Sequence, residues 1–274
     1  MEREKLLRPT VALALLAWLA PFAVSVRPAA AESREVARIV EIESAVTPET
    51  LVVFDIDNTL LAPAGQLGSD QWFYFIDSLY KLQGMGEKEA GDLAMRVWNE
   101  AQRRVTVGPL EPDTVALLAR LAARGVPMMA LTARTLDIAE LTATQLATAG
   151  LSLEGRLPGA RATRIPRAEL GAAEDALFAH GVLFVGESND KGKVLSRFLQ
   201  MSDLRPARVV FVDDKARHVK NVEAALSALG VPSVAFRYGG ADARVEQFNA
   251  VMSEVRDAAT ARLFLNGVLV SPGR

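Results

Sequence analysis

The stretch Leu51-Val52-Val53-Phe54-Asp55-Ile56-Asp57-Asn58-Thr59 decides the reading of this chain. Its four leading apolar residues form an unbroken run, the signature of a strand buried on both faces. The run stops at a carboxylate, and a second follows two positions on. From Pro109 the chain alternates regularly. A helix from Pro112-Asp113 to Arg124 stops at Gly125, Val126–Leu131 is a second apolar strand, and a helix over Leu136–Ala149 is closed by Gly150. Strands at Gly181–Val185 and Arg208–Val212 lead into helices at Lys191–Gln200 and Val219–Leu229, and Ser233–Arg237 is a last strand. Buried strands alternating with helices predict an α/β fold: a Rossmann-like parallel sheet with right-handed crossovers and helices on both faces.

Two regions depart from this rhythm. From about residue 62 to 108, two helical patterns follow one another: Phe73, Ile76, Leu79 and Tyr80 in Asp70–Gln83, then Leu93, Val97 and Ala101 in Glu87–Arg104, with Gly84 and Gly86 between them. This predicts a small helical insert. Ser33–Ala45 reads as a short amphipathic helix from Val36, Ile39, Val40 and Ile42, and Asp242–Leu265 contains a long closing helix. Leu151–Glu174 reads as an irregular loop with room for one short strand.

The first 31 residues differ from the rest. Arg3, Lys5 and Arg8 precede an apolar run from Val11 to Val26, and Ala29-Ala30-Ala31 follows. A basic start, a short apolar stretch and small residues make a secretory signal peptide, with cleavage expected after Ala31. The run is shorter than the ~20 residues of a membrane span, so residues 32–274 are expected as an exported chain without a stable span. Half of the 274 residues are apolar and the net charge is -2, which supplies a core and gives no sign of a nucleic-acid surface. The absence of cysteine excludes disulfides, thiolate metal sites and a cysteine nucleophile.

In open parallel sheets ligands sit at the carboxyl ends of the strands. Four such ends carry polar groups: Asp55-Ile56-Asp57-Asn58-Thr59; Thr132-Ala133-Arg134; Glu187-Ser188-Asn189-Asp190-Lys191-Gly192; and Asp213-Asp214-Lys215. In this order they resemble the four motifs of the haloacid dehalogenase superfamily, over about Leu51 to Arg237. With Gly68-Ser69-Asp70-Gln71-Trp72-Phe73, the wording is similar to a family of exported, uncharacterised bacterial members of that superfamily, and more distantly to secreted acid phosphatases.

The resemblance implies a phosphoric monoester hydrolase, and the residues suit that chemistry. A carboxylate can attack phosphorus and form an aspartyl phosphate, the role expected of Asp55. Asp57 lies on the same side of the extended chain and can protonate the leaving oxygen, then take a proton from water. Carboxylates facing a phosphate repel it, and a hard cation with oxygen ligands, Mg²⁺, removes the problem. By resemblance the metal is held by Asp55, the backbone carbonyl of Asp57 and an acid of the pair Asp213 and Asp214. Thr132 is expected to bind the transferring phosphoryl group, and Lys191 to neutralise its charge; Lys193 and Lys215 compete for the lysine role. Arg134 stands between phosphate contact and a surface ion pair. His180 and His218 read as structural. The aromatics from Trp72 to Phe75 read as insert core, with Trp72 or Tyr74, and Asp70 and Gln71, as candidates to meet the leaving group. Inserts at 62–108 form a small cap over the site in the resembling superfamily. The expected substrate is a small phosphate ester in the periplasm or outside the cell. Alternatives are a phosphomutase, using the same two aspartates, and a non-catalytic protein that keeps the fold.

Overall fold

The computed structural model describes residues 31–253, with 259, 260 and 262. The expected leader, apart from Ala31, and the far half of the closing helix lie outside the described residues.

In chain order the elements are β1 (Ala31–Val36), a 3-10 turn (Ile39–Ala45), β2 (Thr50–Phe54), β3 (Leu61–Pro63), α1 (Asp70–Leu82), α2 (Glu87–Gln102) and β4 (Val107–Pro109). Then come α3 (Asp113–Ala123), β5 (Met128–Thr132), a 3-10 turn (Leu136–Ile138), α4 (Ala139–Thr148), β6 (Thr163–Ile165), α5 (Arg167–Leu170) and β7 (Ala176–Ala179). The chain continues through β8 (Val182–Phe184), α6 (Lys191–Met201), β9 (Arg208–Asp213), α7 (Ala216–Ala228), β10 (Ser233–Tyr238) and α8 (Asp242–Met252). Eight strands form one sheet in the order β1-β10-β9-β2-β5-β8-β7-β6. From β1 to β8 every neighbouring pair is parallel, and β7 and β6 close one edge antiparallel.

The apolar strands divide their side chains between two cores by the period of two. Val52, Phe54, Met128, Ala130, Val210 and Val212 pack with Leu117 and Leu121 of α3 and Leu146 of α4. Leu51, Val53, Met129, Leu131, Val209 and Phe211 pack on the other face with Val194 and Phe198 of α6 and Val222 of α7. The α/β sheet with helices on both faces is therefore as expected. Strand order advances from β2 through β5 to β8, then returns to the other side of β2 for β9 and β10. The reversal opens a crevice between the carboxyl ends of β2 and β9.

The region read as an insert is a helical hairpin. β3 and β4 pair antiparallel at its base, and Gly84, at φ +87°, turns the chain between α1 and α2. Ser69 caps α1 by accepting from the Trp72 backbone N–H at 3.2 Å. Trp72, Ile76, Leu79, Ala94 and Trp98 fill its core, together with Ile138 and Phe248 from the sheet domain. Burying each large side chain stabilises by about 2 kcal/mol, and the two outside residues tie the hairpin down onto the sheet.

Three expectations need correction. Ser33–Ala45 is not one helix: Ala31–Val36 is an edge strand on β10, and only Ile39–Ala45 coils. Ser33–Glu35 has no apolar face to bury as helix, whereas β10 offers a row of free backbone groups. β7 was not expected; Ala176–Ala179 is too short to show a period, and its pairing with β8 is what makes it a strand. The closing helix is described only to Met252.

Candidate active site

Strand parity aims the two key carboxylates. Asp55 continues the Leu51, Val53 row and Asp213 the Val209, Phe211 row, so both point to the face covered by α6. The first residue of α6 is Lys191, 2 % exposed, and its ammonium donates to Asp55 Oδ1 at 2.5 Å and to Asp213 Oδ2 at 2.7 Å. Gly192 permits this seating: a Cβ there would meet the Asn221 carbonyl oxygen of α7 at 2.3 Å. The lysine question is thereby resolved geometrically. Lys193 lies on an outer groove with Glu169 and Arg197, and Lys215 donates to Asp70 at 2.8 Å and to the Tyr74 hydroxyl at 2.7 Å.

After Asp55 the chain turns sharply. Asn58 stands at φ +59°, a conformation asparagine tolerates better than most residues, and the Thr59, Leu60 and Leu61 amides all donate to the Ile56 carbonyl. Thr59 then folds back to donate to Asp55 Oδ2 at 3.3 Å. Asn58 Nδ2 donates to Gln71 Oε1 at 3.2 Å and Asp214 Oδ2 at 3.4 Å. Thr132 is buried beside this turn, and its hydroxyl accepts from the Arg134 amide at 3.2 Å.

The charges do not balance. Burial pushes the Asp55 carboxyl up to about 7 against the pull of Lys191, with Asp213 adding to the push. Burial also opposes ionisation of Asp213, but Lys191 and His218 outweigh it and hold that carboxyl below its ordinary range. Burial works against the charge on Lys191, and its two carboxylates overcome it, holding the amine above its ordinary value. Burial, Asp70, Asp55 and Asp213 push Asp214 well above the carboxylate range. One ammonium thus serves three carboxylates whose oxygens lie within 4.8 Å of one another.

That surplus of negative charge fits a divalent cation, and oxygen-only donors fit Mg²⁺. Of the adjacent acids, Asp213 is already engaged: it accepts from Lys191, from the Lys215 amide at 2.8 Å, and lies 3.1 Å from His218 Nδ1. Asp214 accepts only the long contact from Asn58 and faces an open pocket with Asp70, Gln71 and Lys215. Asp55 and Asp214 are therefore the carboxylates best able to hold a cation.

Asp57 is 17 % exposed in its side chain and lines a narrow cleft with Phe73, Met95, Trp98 and Glu187. Arg134 grips both its oxygens, from Nε and from Nη2, each at 2.8 Å. The sequence left Arg134 open between phosphate contact and a surface pair; it makes a buried ion pair instead. Tyr74, not Trp72, turns toward the site. Its hydroxyl accepts from Lys215 and Arg217 and lies 3.4 Å from Glu187, while Trp72 packs inside the hairpin. His218 is more than scaffold. Burial and Lys191 hold its imidazole below its ordinary value. It can therefore donate from Nδ1 to Asp213 and accept from Arg217 at Nε2. Its spacing of five from Asp213, one turn into the next helix, was the available signal. His180 pairs with Glu140 and Glu154 at the β7–β8 turn, far from this centre.

Fold and site together define an α/β protein with a carboxylate–lysine centre at the switch point of a parallel sheet. Residues 34–267 match the family described as "Protein of unknown function (DUF2608)", and the chain belongs to that family. Relatives include a "Putative outer membrane protein" of Chlamydia pneumoniae, 30 % identical over 172 residues, and one of Chlamydia trachomatis, 27 % identical over 188. The first alignment spans 62 % of this chain and 62 % of the relative; the second spans 68 % of each. A solved structure titled "Hydrolase, haloacid dehalogenase-like family protein", from Streptococcus pneumoniae, matches with a TM-score of 0.40 and 13 % identity, covering 69 % of this chain and 95 % of that one.

Proposed function

We propose that this chain is a Mg²⁺-dependent phosphatase that hydrolyses phosphate monoesters through an aspartyl phosphate on Asp55. The observation that carries the reading is the junction of Asp55, Asp213 and Lys191 at the switch-point crevice, with Asp57 two residues on and Asp214 free beside it. The four strand-end motifs, in the order found in the haloacid dehalogenase superfamily, support it.

An Asp55 oxygen attacks phosphorus, an Asp55 O–P bond forms, and the bond from phosphorus to the ester oxygen breaks. Asp57 gives its proton to the departing oxygen, so the alcohol leaves neutral. Water then attacks the aspartyl phosphate while Asp57 takes its proton, releasing phosphate and restoring Asp55. Lys191 holds Asp55 in place and, with Thr132, offers donors to the phosphoryl oxygens. Bound at Asp55, Asp214 and the Asp57 carbonyl, Mg²⁺ would neutralise charge between carboxylates and phosphate. Residues 62–108 act as a cap, whose cleft around Phe73, Met95 and Trp98 receives the leaving group and excludes water. The leader and the names of the chlamydial relatives support export, and we place the activity in the periplasm or outside the cell.

The test is hydrolysis of p-nitrophenyl phosphate by protein purified after expression of the full chain. Activity that requires Mg²⁺, stops with chelator and disappears in Asp55→Asn is expected. A folded, Mg²⁺-loaded protein inert toward p-nitrophenyl phosphate and a panel of alkyl phosphates would overturn the reading.

A further inference from the structure

Arg134 is 2 % exposed, and its partners come from three parts of the fold. Two N–H groups take the two oxygens of Asp57 at 2.8 Å each. Nη1 is held from α4 by Thr142 Oγ1 at 3.1 Å and Gln145 Oε1 at 2.6 Å. The guanidinium lies 5.3 Å from the ring centre of Trp98, on α2 of the hairpin. Gln145 in turn donates to the Gln102 carbonyl at 3.2 Å, the last residue of α2. The Trp98 indole donates to the Ser69 carbonyl at 3.1 Å, just before α1. A connected set of contacts therefore runs from both hairpin helices through Arg134 to Asp57.

A carboxylate offers about four lone-pair sites, and a guanidinium fork uses two of them. Asp57 thus keeps an open edge on the cleft lined by Phe73, Met95 and Trp98, while its rotation is fixed by the fork. No partner of Arg134 is a group of the Asp55, Asp213, Asp214 cluster. We propose, on the phosphatase reading above, that Arg134 is a positioning residue that fixes Asp57 toward the leaving-group oxygen and makes proton transfer depend on the seating of the α1–α2 hairpin. It does not bind the transferring phosphate.

A residue acting through the proton donor affects poor leaving groups and spares good ones, because a phenolate of low basicity leaves without a proton. kcat/KM isolates this, since it reports steps up to loss of the first alcohol and not the later attack of water. The experiment compares wild type, Arg134→Lys and Gln145→Leu across 2,4-dinitrophenyl, p-nitrophenyl and ethyl phosphate, and repeats Arg134→Lys in an Asp57→Asn background. Arg134→Lys is expected to lower kcat/KM about 100-fold for ethyl phosphate and by less than about threefold for the dinitrophenyl ester. Gln145→Leu should give the same pattern more weakly. Inhibition by inorganic phosphate should be unchanged, and Arg134→Lys should cost nothing further in Asp57→Asn.

Equal losses for all three esters, or phosphate inhibition weakened tenfold or more, would overturn the positioning role while leaving the phosphatase reading intact. A wild type inert toward all three esters would overturn that reading first. Gln145→Leu, which leaves the guanidinium in place, keeps the test open should Arg134→Lys fold poorly: a flat leaving-group profile in that variant also sinks the proposal.

Discussion

Replacing Gly192 by alanine tests the architecture that seats Lys191. Gly192 is the second residue of α6, and its Cα faces the backbone of α7. A Cβ would lie 2.3 Å from the Asn221 carbonyl oxygen, 2.7 Å from its carbonyl carbon and 2.9 Å from the Ala225 Cβ. Two of those atoms are backbone, so no side chain can swing aside; α6 and α7 must separate by about 1 Å to reach ordinary contact. Alanine in a helix is favoured over glycine by up to about 1 kcal/mol, and overpacking costs about 1–3 kcal/mol. The net expectation is a loss of roughly 1–2 kcal/mol, or a fall in Tm of about 2–8 °C for a chain of this size. The same shift moves Lys191 away from Asp55, and a misplacement of this order can cost about 100-fold in kcat/KM. Gly91 is the control: in mid-α2, its added Cβ would meet only Asp77 Oδ1, at 4.0 Å. Gly91→Ala should therefore gain about 0.5–1 kcal/mol. Both variants are followed by thermal unfolding and by p-nitrophenyl phosphate hydrolysis. A Gly192→Ala protein as stable and as active as Gly91→Ala would refute the reasoning.

Lys191→Met leaves Asp55 and Asp213 buried side by side without their ammonium, and about 3–5 kcal/mol of stability should be lost in urea titrations with chelator present; a loss below about 1 kcal/mol would contradict the buried bridge. Asp214 is crowded by Asp70, Asp55 and Asp213, so Asp214→Asn should melt above wild type in chelator. Saturating Mg²⁺, worth about 2.7 kcal/mol at a hundred times its Kd, should raise the Tm of wild type and leave the variant nearly unmoved; equal shifts would remove Asp214 from the cation site. Glu140 first, and Glu154, raise the His180 imidazole above its ordinary value against partial burial. The stability this gives is therefore complete below about pH 6.5, the unfolded value, and fades as pH rises through the folded value. The Tm gap between wild type and His180→Asn, which tolerates the left-handed backbone at φ +53°, should shrink from pH 5.5 to pH 9; a constant gap would mean the pairing contributes nothing.

The central sheet was legible because its information is local. An apolar run such as Leu51–Phe54 is buried on both faces in any parallel sheet, and glycines 125, 150 and 230 end their helices by backbone conformation alone. β7 and β1 were missed because a four-residue strand and a polar edge strand carry no period. Their hydrogen bonds come from β8 and β10, supplied by distant sequence. The hairpin was visible as two helices, but Trp72 and Tyr74, two residues apart, could not be assigned to core or site until the direction of α1 over the sheet was known.

The sequence by itself determined which groups stand at strand ends: Asp55 and Asp57 after one buried strand, Thr132 after another, Asp213 and Asp214 after a third. Burial pattern and turn chemistry are properties of a few neighbouring residues, and they survive without knowledge of the rest. Only the tertiary structure decided that Lys191, not Lys193 or Lys215, bridges Asp55 and Asp213; that Asp213 is engaged and Asp214 free; and that Arg134 grips Asp57 from 77 residues away. Those outcomes depend on the reversal of strand order between β2 and β9 and on where the hairpin lands. Both are set by contacts among segments far apart in the chain, about which local periodicity carries no information.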